Sequence, residues 1–136
     1  MSDFSQYQLI GTVEDQADYY IIDPDIMLCV PKANFVDTPQ MAKASADFQS
    51  AYARKVGEKC ATVVIMSNIL SQDAETRRIY RELAENGLFF GAALVVDSPL
   101  SRALASFFIG LTKPKIPLKL FDTVEKSVEW LRTLRP

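Results

Sequence analysis

The segment from Gly91 to Phe121 constrains the fold most strongly, because it carries the pattern of a complete strand, helix and strand unit. Its sequence is GAALVVDSPLSRALASFFIGLTKPKIPLKLF. The apolar run Ala92–Val96 is followed by Ser98 and Pro99, a pair typical of a helix start, since serine caps free N–H groups and proline has none to lose. An apolar helical pattern then leads through a Lys-Pro-Lys loop into a second short run, Leu118–Phe121. Two parallel strands joined by a helix are the expected structure.

Similar patterns extend this unit over the chain and predict one α/β domain, residues 1–136, in which residues 1–6 are a candidate for disorder. Helix and strand alternate from Thr38 onward, so parallel central strands with right-handed crossovers are expected after an N-terminal hairpin. The predicted strands are Tyr7–Val13, Tyr19–Ile22, Ile26–Val30, Ala61–Met66, Leu88–Val96 and Leu118–Phe121. The predicted helices are Thr38–Val56, Ser71–Glu85, Ser98–Leu111 and Thr123–Leu134.

The absence of histidine excludes several kinds of active site. Ser-His-Asp and Cys-His arrangements and His-based zinc sites need that residue, and two isolated cysteines cannot form a structural zinc site. The 15 basic and 17 acidic residues are interspersed, and their net charge of −2 does not resemble the basic stripe of a nucleic-acid-binding protein. We therefore expect no catalytic residues, no metal, no cofactor and no nucleic-acid partner.

Neither a membrane-spanning segment nor an export signal is recognisable. No apolar stretch approaches the roughly 20 residues that a transmembrane helix needs. The N-terminal sequence MSDFSQYQLIG has neither the basic nor the apolar region of a signal peptide. We expect a cytoplasmic protein in which Cys29 and Cys60 are buried reduced thiols rather than a disulfide, since each lies in or beside an apolar run.

Two stretches of the sequence carry a resemblance to a known family. The more specific is VVDSPLSRALASFFIGLTKPKIPLKLF, Val95–Phe121, and the other is VIMSNILSQDAETRRIY, Val64–Tyr80. In these motifs and in the order of its elements the chain resembles the STAS fold, and more narrowly the SpoIIAA-like group of small stand-alone bacterial proteins. The resemblance covers nearly all of the chain from Tyr19 onward. It implies a mixed sheet of four or five strands with about four helices mainly on one face, and a role in regulation or small-ligand sensing rather than catalysis.

One mechanism associated with this fold is not expected here. In anti-anti-sigma factors of the fold that the sequence resembles, a serine that follows an aspartate at the start of the second helix is phosphorylated by a partner kinase. Asp73 matches the aspartate, whereas Ala74 stands at the serine position. Because alanine has no hydroxyl group, we predict that the chain is not switched in this way, and Ser71 is the reserve candidate for phosphorylation.

The loop after the predicted strand Ala61–Met66 is the first candidate site. Open α/β sheets bind ligands beyond the carboxyl ends of their strands, and a helix start adds free N–H groups. A polar ligand or a partner could bind there through Ser67, Asn68, Ser71 and Asp73. Simple helix capping by Ser71 or Asp73 is the alternative, and the strong N-cap preference of these residues favours it.

A second candidate for a ligand or partner surface consists of Asp97, Ser98 and Arg102, which follow the neighbouring parallel strand. Arg102 lies one turn into the third predicted helix, from which it could reach an anionic group. The alternative is a cap by Ser98 together with an ion pair between Arg102 and Asp97. The Ser-Pro start is explained by capping alone and favours this alternative.

The third predicted helix is unusually apolar. Phe107 and Phe108 are adjacent, and neighbours on a helix are about 100° apart, so both rings cannot enter one core. We therefore predict that one of them is covered by a second copy of the chain in a homodimer. Contact with a membrane surface or a lipid-like ligand is the alternative, because basic side chains lie nearby, at Lys113, Lys115 and Lys119.

Two functions from different classes follow. The first is a non-enzymatic regulatory or protein-interaction module of STAS type, and the second is a carrier or sensor of a small apolar or lipid-like ligand. An enzyme is not expected, because no set of nucleophile, base and oxyanion donors can be assembled from the sequence. Asp23 and Asp25 resemble paired catalytic carboxylates, yet the proline between them indicates the tip of a hairpin.

Overall fold

The computed structural model describes residues 4–13, 15–112 and 115–136, and at positions 104, 107, 108, 111 and 112 it describes the backbone alone. Its strands are β1 (Gln8–Val13), β2 (Ala17–Asp23), β3 (Ile26–Pro31), β4 (Phe35–Val36), β5 (Cys60–Ile65), β6 (Ile69–Ser71), β7 (Phe89–Val95) and β8 (Leu118–Phe121). Its helices are α1 (Pro39–Val56), α2 (Ala74–Ala84), α3 (Pro99–Thr112) and α4 (Val124–Leu134), and a short 3₁₀ turn, Met66–Asn68, follows β5.

Six strands form one mixed sheet in the order β1-β2-β3-β5-β7-β8. The first three are antiparallel neighbours, and β3, β5, β7 and β8 are joined by parallel pairing. The predicted hairpin and the predicted parallel pairing of the strands that begin near Ala61 and Leu88 are therefore confirmed. The sheet has more strands than the four or five implied by the family resemblance, because β1 pairs along the length of β2.

Helix α4 covers one face of the sheet, whereas α1 and α2 cover the other, where α3 contacts α2, so most of the helices lie on one face as the resemblance implies. On one face α4 packs against alternate residues of the parallel strands, such as Leu28, Val63 and Val95. On the other face Ala53 of α1 packs with Met27 and its strand neighbours, and α2 adds to the same cluster. Successive side chains of a strand point to opposite faces, so strands that are apolar on both sides need helices on both.

The first helix begins and ends where its sequence signals predict. The side-chain oxygen of Thr38 accepts a hydrogen bond from the N–H of Met41 at 3.3 Å, and Pro39 is the first helical residue. Gly57 follows the last turn with a φ of 82°, a left-handed conformation that glycine adopts without strain. The predicted boundaries of α1 are confirmed within one residue.

The second helix begins later than predicted. The carboxylate of Asp73 accepts a hydrogen bond from the N–H of Thr76 at 2.8 Å, so α2 starts at Ala74 rather than at Ser71. The preceding residues form β6, which pairs with β4 in a separate two-stranded parallel sheet. Strands of two and three residues are too short to show a periodic pattern, which explains why this small sheet was not predicted.

An aromatic contact ties α1 to the antiparallel end of the sheet. Tyr19 of β2 is fully buried, and its ring stacks on Phe48 of α1 with the two centroids 4.3 Å apart. Phe48 also lies directly against Gly11 of β1, where an added Cβ would be 2.6 Å from its ring. The register of β1 against β2 shifts at this point, between Leu9 and Gly11. Glycine at position 11 therefore allows the close approach of the Phe48 ring to the strand.

A matched pair of leucine substitutions tests the two environments. Leu131 of α4 is fully buried, whereas Leu70 of β6 is 65% exposed. Leu131→Ala should lower the free energy of unfolding by about 2–5 kcal/mol, because it removes buried methyl groups and leaves a cavity. Leu70→Ala removes the same atoms from a solvent-facing position and should change it by less than about 0.5 kcal/mol. Urea denaturation measures both changes. Equal losses of unfolding free energy in the two variants would contradict the burial of Leu131 and the exposure of Leu70.

Candidate functional site

A cavity lies on the face of the sheet that α1 and α2 cover. Its volume is about 150 Å³, and it is open to solvent on one side. We call it the central cavity. Its walls are mainly apolar, with side chains from the strands, from α2 and from the segment before β8; among them are Val64, Met66, Ile69, Leu83, Phe89, Ala92, Leu94, Ile116 and Leu118. Polar side chains line it in two groups, one around Asp37 and one around Ser45.

The first polar group is centred on the buried carboxyl group of Asp37, which is only 4% exposed. One of its oxygens, Oδ2, accepts hydrogen bonds from the hydroxyl of Tyr80 at 2.8 Å and from the side-chain amide of Gln72 at 2.9 Å. The backbone N–H of Asp37 donates to the carbonyl of Ser71 at 3.0 Å. The small sheet of β4 and β6 thus positions Asp37 directly beside the start of α2.

Three side-chain oxygens around this group are buried and have no hydrogen-bond partner among the described residues. They are Oδ1 of Asp37, Oε1 of Gln72 and Oγ1 of Thr76. A buried polar atom without a partner costs about 1–3 kcal/mol, so most proteins satisfy such atoms. Asp37 and Gln72 both line the central cavity, which makes this end of it rich in unused acceptors.

The second polar group is fully connected by contrast. The hydroxyl groups of Tyr19 and Ser45 share a short hydrogen bond. The amide of Gln49 donates to the Ser45 hydroxyl oxygen at 3.2 Å, and its carbonyl oxygen accepts from the hydroxyl of Thr62 at 2.9 Å. This chain of bonds joins α1 to β2 and β5, and all four of its residues line the cavity.

Burial shifts the pKa of each acidic group at the cavity in the direction of the neutral form. It raises the pKa of the Asp37 carboxyl group, although the hydrogen bonds from Gln72 and Tyr80 partly oppose that shift. It also raises the pKa of the Tyr19 and Tyr80 hydroxyls well above the usual range of tyrosine, and that of the Cys29 thiol to about 12. The thiol and both phenols are therefore protonated at neutral pH.

The predicted site in the loop before α2 lies beside the cavity, but the residues that face the cavity are different ones. Ser67 and Asn68 belong to the 3₁₀ turn, where the Asn68 amide donates to the carbonyl of Pro31 at 2.7 Å. Ser71 ends β6, and Asp73 caps α2, as the capping alternative predicted. The residues of this segment that line the cavity are Met66, which precedes Ser67, together with Ile69 and Gln72.

The three residues of the second predicted site are not among those that line the cavity. The hydroxyl oxygen of Ser98 accepts a hydrogen bond from the N–H of Ser101 at 3.1 Å, so Ser98 acts as a cap. Asp97 and Arg102 are both exposed. Arg102 lies near Asp122, and it assists Lys126 in lowering the pKa of that carboxyl group.

The side chains of Phe107 and Phe108 lie outside the described residues, so the predicted dimer contact stays a prediction. Asp23 and Asp25 flank the turn between β2 and β3 as expected. Both carboxylates accept hydrogen bonds from Arg135, at 2.7–2.8 Å, and Asp23 also accepts from Arg132. The hydrogen bond from Arg132 is the main cause of the low pKa of Asp23, about 2, so this pair links the hairpin tip to the end of α4.

Sequence reasoning did not identify the residues that define the polar end of the cavity. Asp37 precedes Thr38 and Pro39, which explain the start of α1 without it. The available signal was that Asp37 is an acidic residue with no role in capping α1, which could have indicated another role for its carboxyl group. Tyr80 and Gln72 gave none, because their contacts with Asp37 join positions 43 and 35 residues apart.

Fold and cavity together define an α/β protein with a mainly apolar cavity beside its sheet. A family model described as "Domain of unknown function (DUF7793)" matches residues 20–135, and the chain belongs to that family. No curated protein matches the chain.

Two further features bear on the kind of site. Within residues 4–13, 15–112 and 115–136, no cluster of three or more cysteine, aspartate or glutamate side chains is arranged to hold a metal ion. Cys29 and Cys60 are free and buried. Among the described helices, none has the length and apolar character needed to cross a membrane.

The buried carboxyl group predicts a specific dependence of stability on pH. Because the pKa of Asp37 is higher in the folded than in the unfolded protein, folding favours its protonated form. Its contribution to stability is present below the ordinary value of 3.8 and is lost as pH rises through the higher folded pKa. Asp37→Asn removes this loss. The free energy of unfolding of the variant, minus that of the native protein, should therefore increase from pH 4 upward and then level off.

Chemical denaturation at a series of pH values measures this difference, and Asp47→Asn is the matched control because that carboxylate is 71% exposed on α1. The control should show a difference that varies little with pH. A flat difference for Asp37→Asn as well would contradict the raised pKa. The other titratable or charged groups around this end of the cavity are the same in the native protein and in Asp37→Asn, so they do not contribute to the difference; they are Tyr19, Tyr80, Cys29, Asp73, Arg77 and Arg81.

Proposed function

We propose that this chain is a non-enzymatic regulatory domain that binds a small, mainly apolar ligand in the central cavity. The observation that carries the proposal is the combination of apolar walls with a few polar groups at defined positions. Sites for small molecules are commonly concave and mostly apolar, with a small number of polar groups that orient the ligand. Of the two functions considered from the sequence, this supports the ligand sensor or carrier.

The absence of an enzymatic role is part of the proposal and is supported by the chemistry of the lining. For Cys29, Tyr19 or Tyr80 to act as a nucleophile or a base at neutral pH, the thiolate or phenolate form would be needed. Burial instead favours the protonated forms of Cys29, Tyr19 and Tyr80. The hydroxyl of Tyr80 is already committed to Asp37, and that of Tyr19 to Ser45.

A regulatory role is supported by the elements that surround the cavity. Phe35 of β4 and Ile69 of β6 line it, whereas the adjacent Val36 and Leu70 are 52% and 65% exposed. The small sheet therefore has one face toward the ligand site and one apolar face toward solvent. A ligand that shifts this sheet changes a surface that a partner can contact. The STAS-like resemblance agrees with such a role, and homodimer formation and a cytoplasmic location belong to the same proposal.

A substitution that fills the cavity tests the binding function. Ala92 is half-buried on β7 and lines the cavity, whereas Ala51 is exposed on α1. Ala92→Phe should weaken binding of N-phenyl-1-naphthylamine, an uncharged apolar fluorescent probe, at least about tenfold, equivalent to about 1.4 kcal/mol. Ala51→Phe adds the same ring outside the cavity and should leave the affinity unchanged. Fluorescence titration gives both affinities.

Native mass spectrometry of the purified protein distinguishes the two functions considered from the sequence. A retained small molecule supports the sensor or carrier, and its loss in Ala92→Phe would locate it in the cavity. A dimer that carries no ligand and does not bind the apolar probe would contradict the proposal and favour a protein-interaction module. Equal probe affinity in Ala92→Phe and the native protein would place the ligand site elsewhere.

A further inference from the structure

The polar end of the central cavity contains two buried hydrogen-bond acceptors that have no partner among the described residues. The hydroxyl of Tyr80 and the amide of Gln72 both donate to the same oxygen of Asp37, Oδ2. The second carboxyl oxygen, Oδ1, and the amide oxygen of Gln72 have no partner within the part of the chain that the structure describes. Both residues line the cavity, and Asp37 is more than nine-tenths buried.

We propose that the cavity ligand has a primary ammonium group that donates hydrogen bonds to Oδ1 of Asp37 and to Oε1 of Gln72. This inference rests on the proposed function and specifies the polar end of the ligand. Both oxygens are closed to solvent, but the terminal torsions of these side chains have broad energy minima. Binding in this way therefore requires these terminal groups to rotate toward the cavity that their side chains line.

The chemistry of the unused groups selects the ammonium. Both are oxygen acceptors, so a carboxylate or phosphate would add acceptors where donors are missing. An alcohol donates one hydrogen bond, whereas a primary ammonium donates three and carries the charge that a buried carboxylate lacks. Hydrogen bonds between charged groups are also roughly twice as strong as neutral ones. The apolar walls fit the hydrocarbon part of the same molecule.

Two guanidinium groups also line the cavity, and they define the competing possibility. Arg77 and Arg81 lie one turn apart on α2. Arg77 donates a hydrogen bond to the backbone carbonyl of Gln72 at 3.0 Å, so it already serves to hold the loop before the helix. A ligand that used these two side chains would be an anion. If the ligand binds at Asp37 and Gln72, a cationic amphiphile should bind more tightly than an anionic one of equal length. If it binds at Arg77 and Arg81, the anionic one should bind more tightly.

Ammonium binding should be linked to proton release. An adjacent positive charge favours the ionised carboxyl group, so the ligand lowers the pKa that burial raises in Asp37. Amine affinity should then fall as pH decreases through the pKa of the free protein. Among its neighbours, Tyr19, Tyr80 and Cys29 have raised pKa values and stay protonated, and the carboxylate of Asp73 has a lowered one through its hydrogen bonds to Thr76.

Three probes of equal chain length test the inference: n-octylamine, 1-octanol and n-octanoate. Their affinities are measured by displacement of N-phenyl-1-naphthylamine and by isothermal titration calorimetry at several pH values. At pH 8 the native protein should bind octylamine at least about tenfold more tightly than octanol, and octanoate most weakly. Asp37→Asn should remove the preference for the amine, while Asp47→Asn, which removes the same charge from an exposed site, should keep it.

Gln72→Leu provides a second variant in case Asp37→Asn does not fold, and it should reduce the amine preference without reversing it. Tightest binding of octanoate, equal binding of the three probes, or an amine preference that persists in Asp37→Asn would each overturn the inference. If the apolar probe still binds in those cases, the proposed function stands and only the ammonium is wrong. If neither the apolar probe nor any of the three amphiphiles binds, both are rejected.

Discussion

The hydrogen bond between the N–H of Asp37 and the carbonyl of Ser71 is the contact on which the site depends. It closes the ladder of β4 and β6 and brings two segments that are distant in sequence to one end of the central cavity. The carboxyl group of Asp37 is thereby buried, and one of its oxygens accepts hydrogen bonds from Tyr80 and Gln72. Burying a carboxyl group with incomplete hydrogen bonding costs free energy, so the rest of the fold must compensate for this end of the cavity.

That compensation comes from elements whose patterns are strong enough to be predicted. The strands β5 and β7 consist almost wholly of apolar residues and are buried on both faces, and α4 places an apolar stripe of Val124, Val128 and Leu131 against them. The spacing of the apolar residues and the helix-capping residues therefore predicted four helices, the hairpin and the parallel core. The particular helix that would lie on the opposite face, α4, was not predicted, because a run of apolar residues gives no indication of which face each helix will cover.

The candidate site was predicted in location but not in its residues. The loop after β5 does border the cavity, as expected for the carboxyl end of a parallel strand. Ser67 lies in the 3₁₀ turn, Ser71 ends β6 and Asp73 caps α2, whereas Met66, Ile69 and Gln72 line the cavity. The short strand β6 within this loop determines which side chains point toward the cavity, and its three residues are too few to show a periodic pattern in the sequence. Asp37 was hidden for a related reason, because its acceptor role depends on partners that approach only in the folded chain.

The close contact between Phe48 and Gly11 links the edge strand β1 to the residues around the central cavity. Phe48 stacks on Tyr19, whose hydroxyl group belongs to the polar chain that lines the cavity. A side chain introduced at position 11 would push against the ring of Phe48, and Tyr19 would have to move with it. The shape of the internal site is thus set partly by a residue at the sheet edge that does not line it, so sequence variation there would tune which ligands fit.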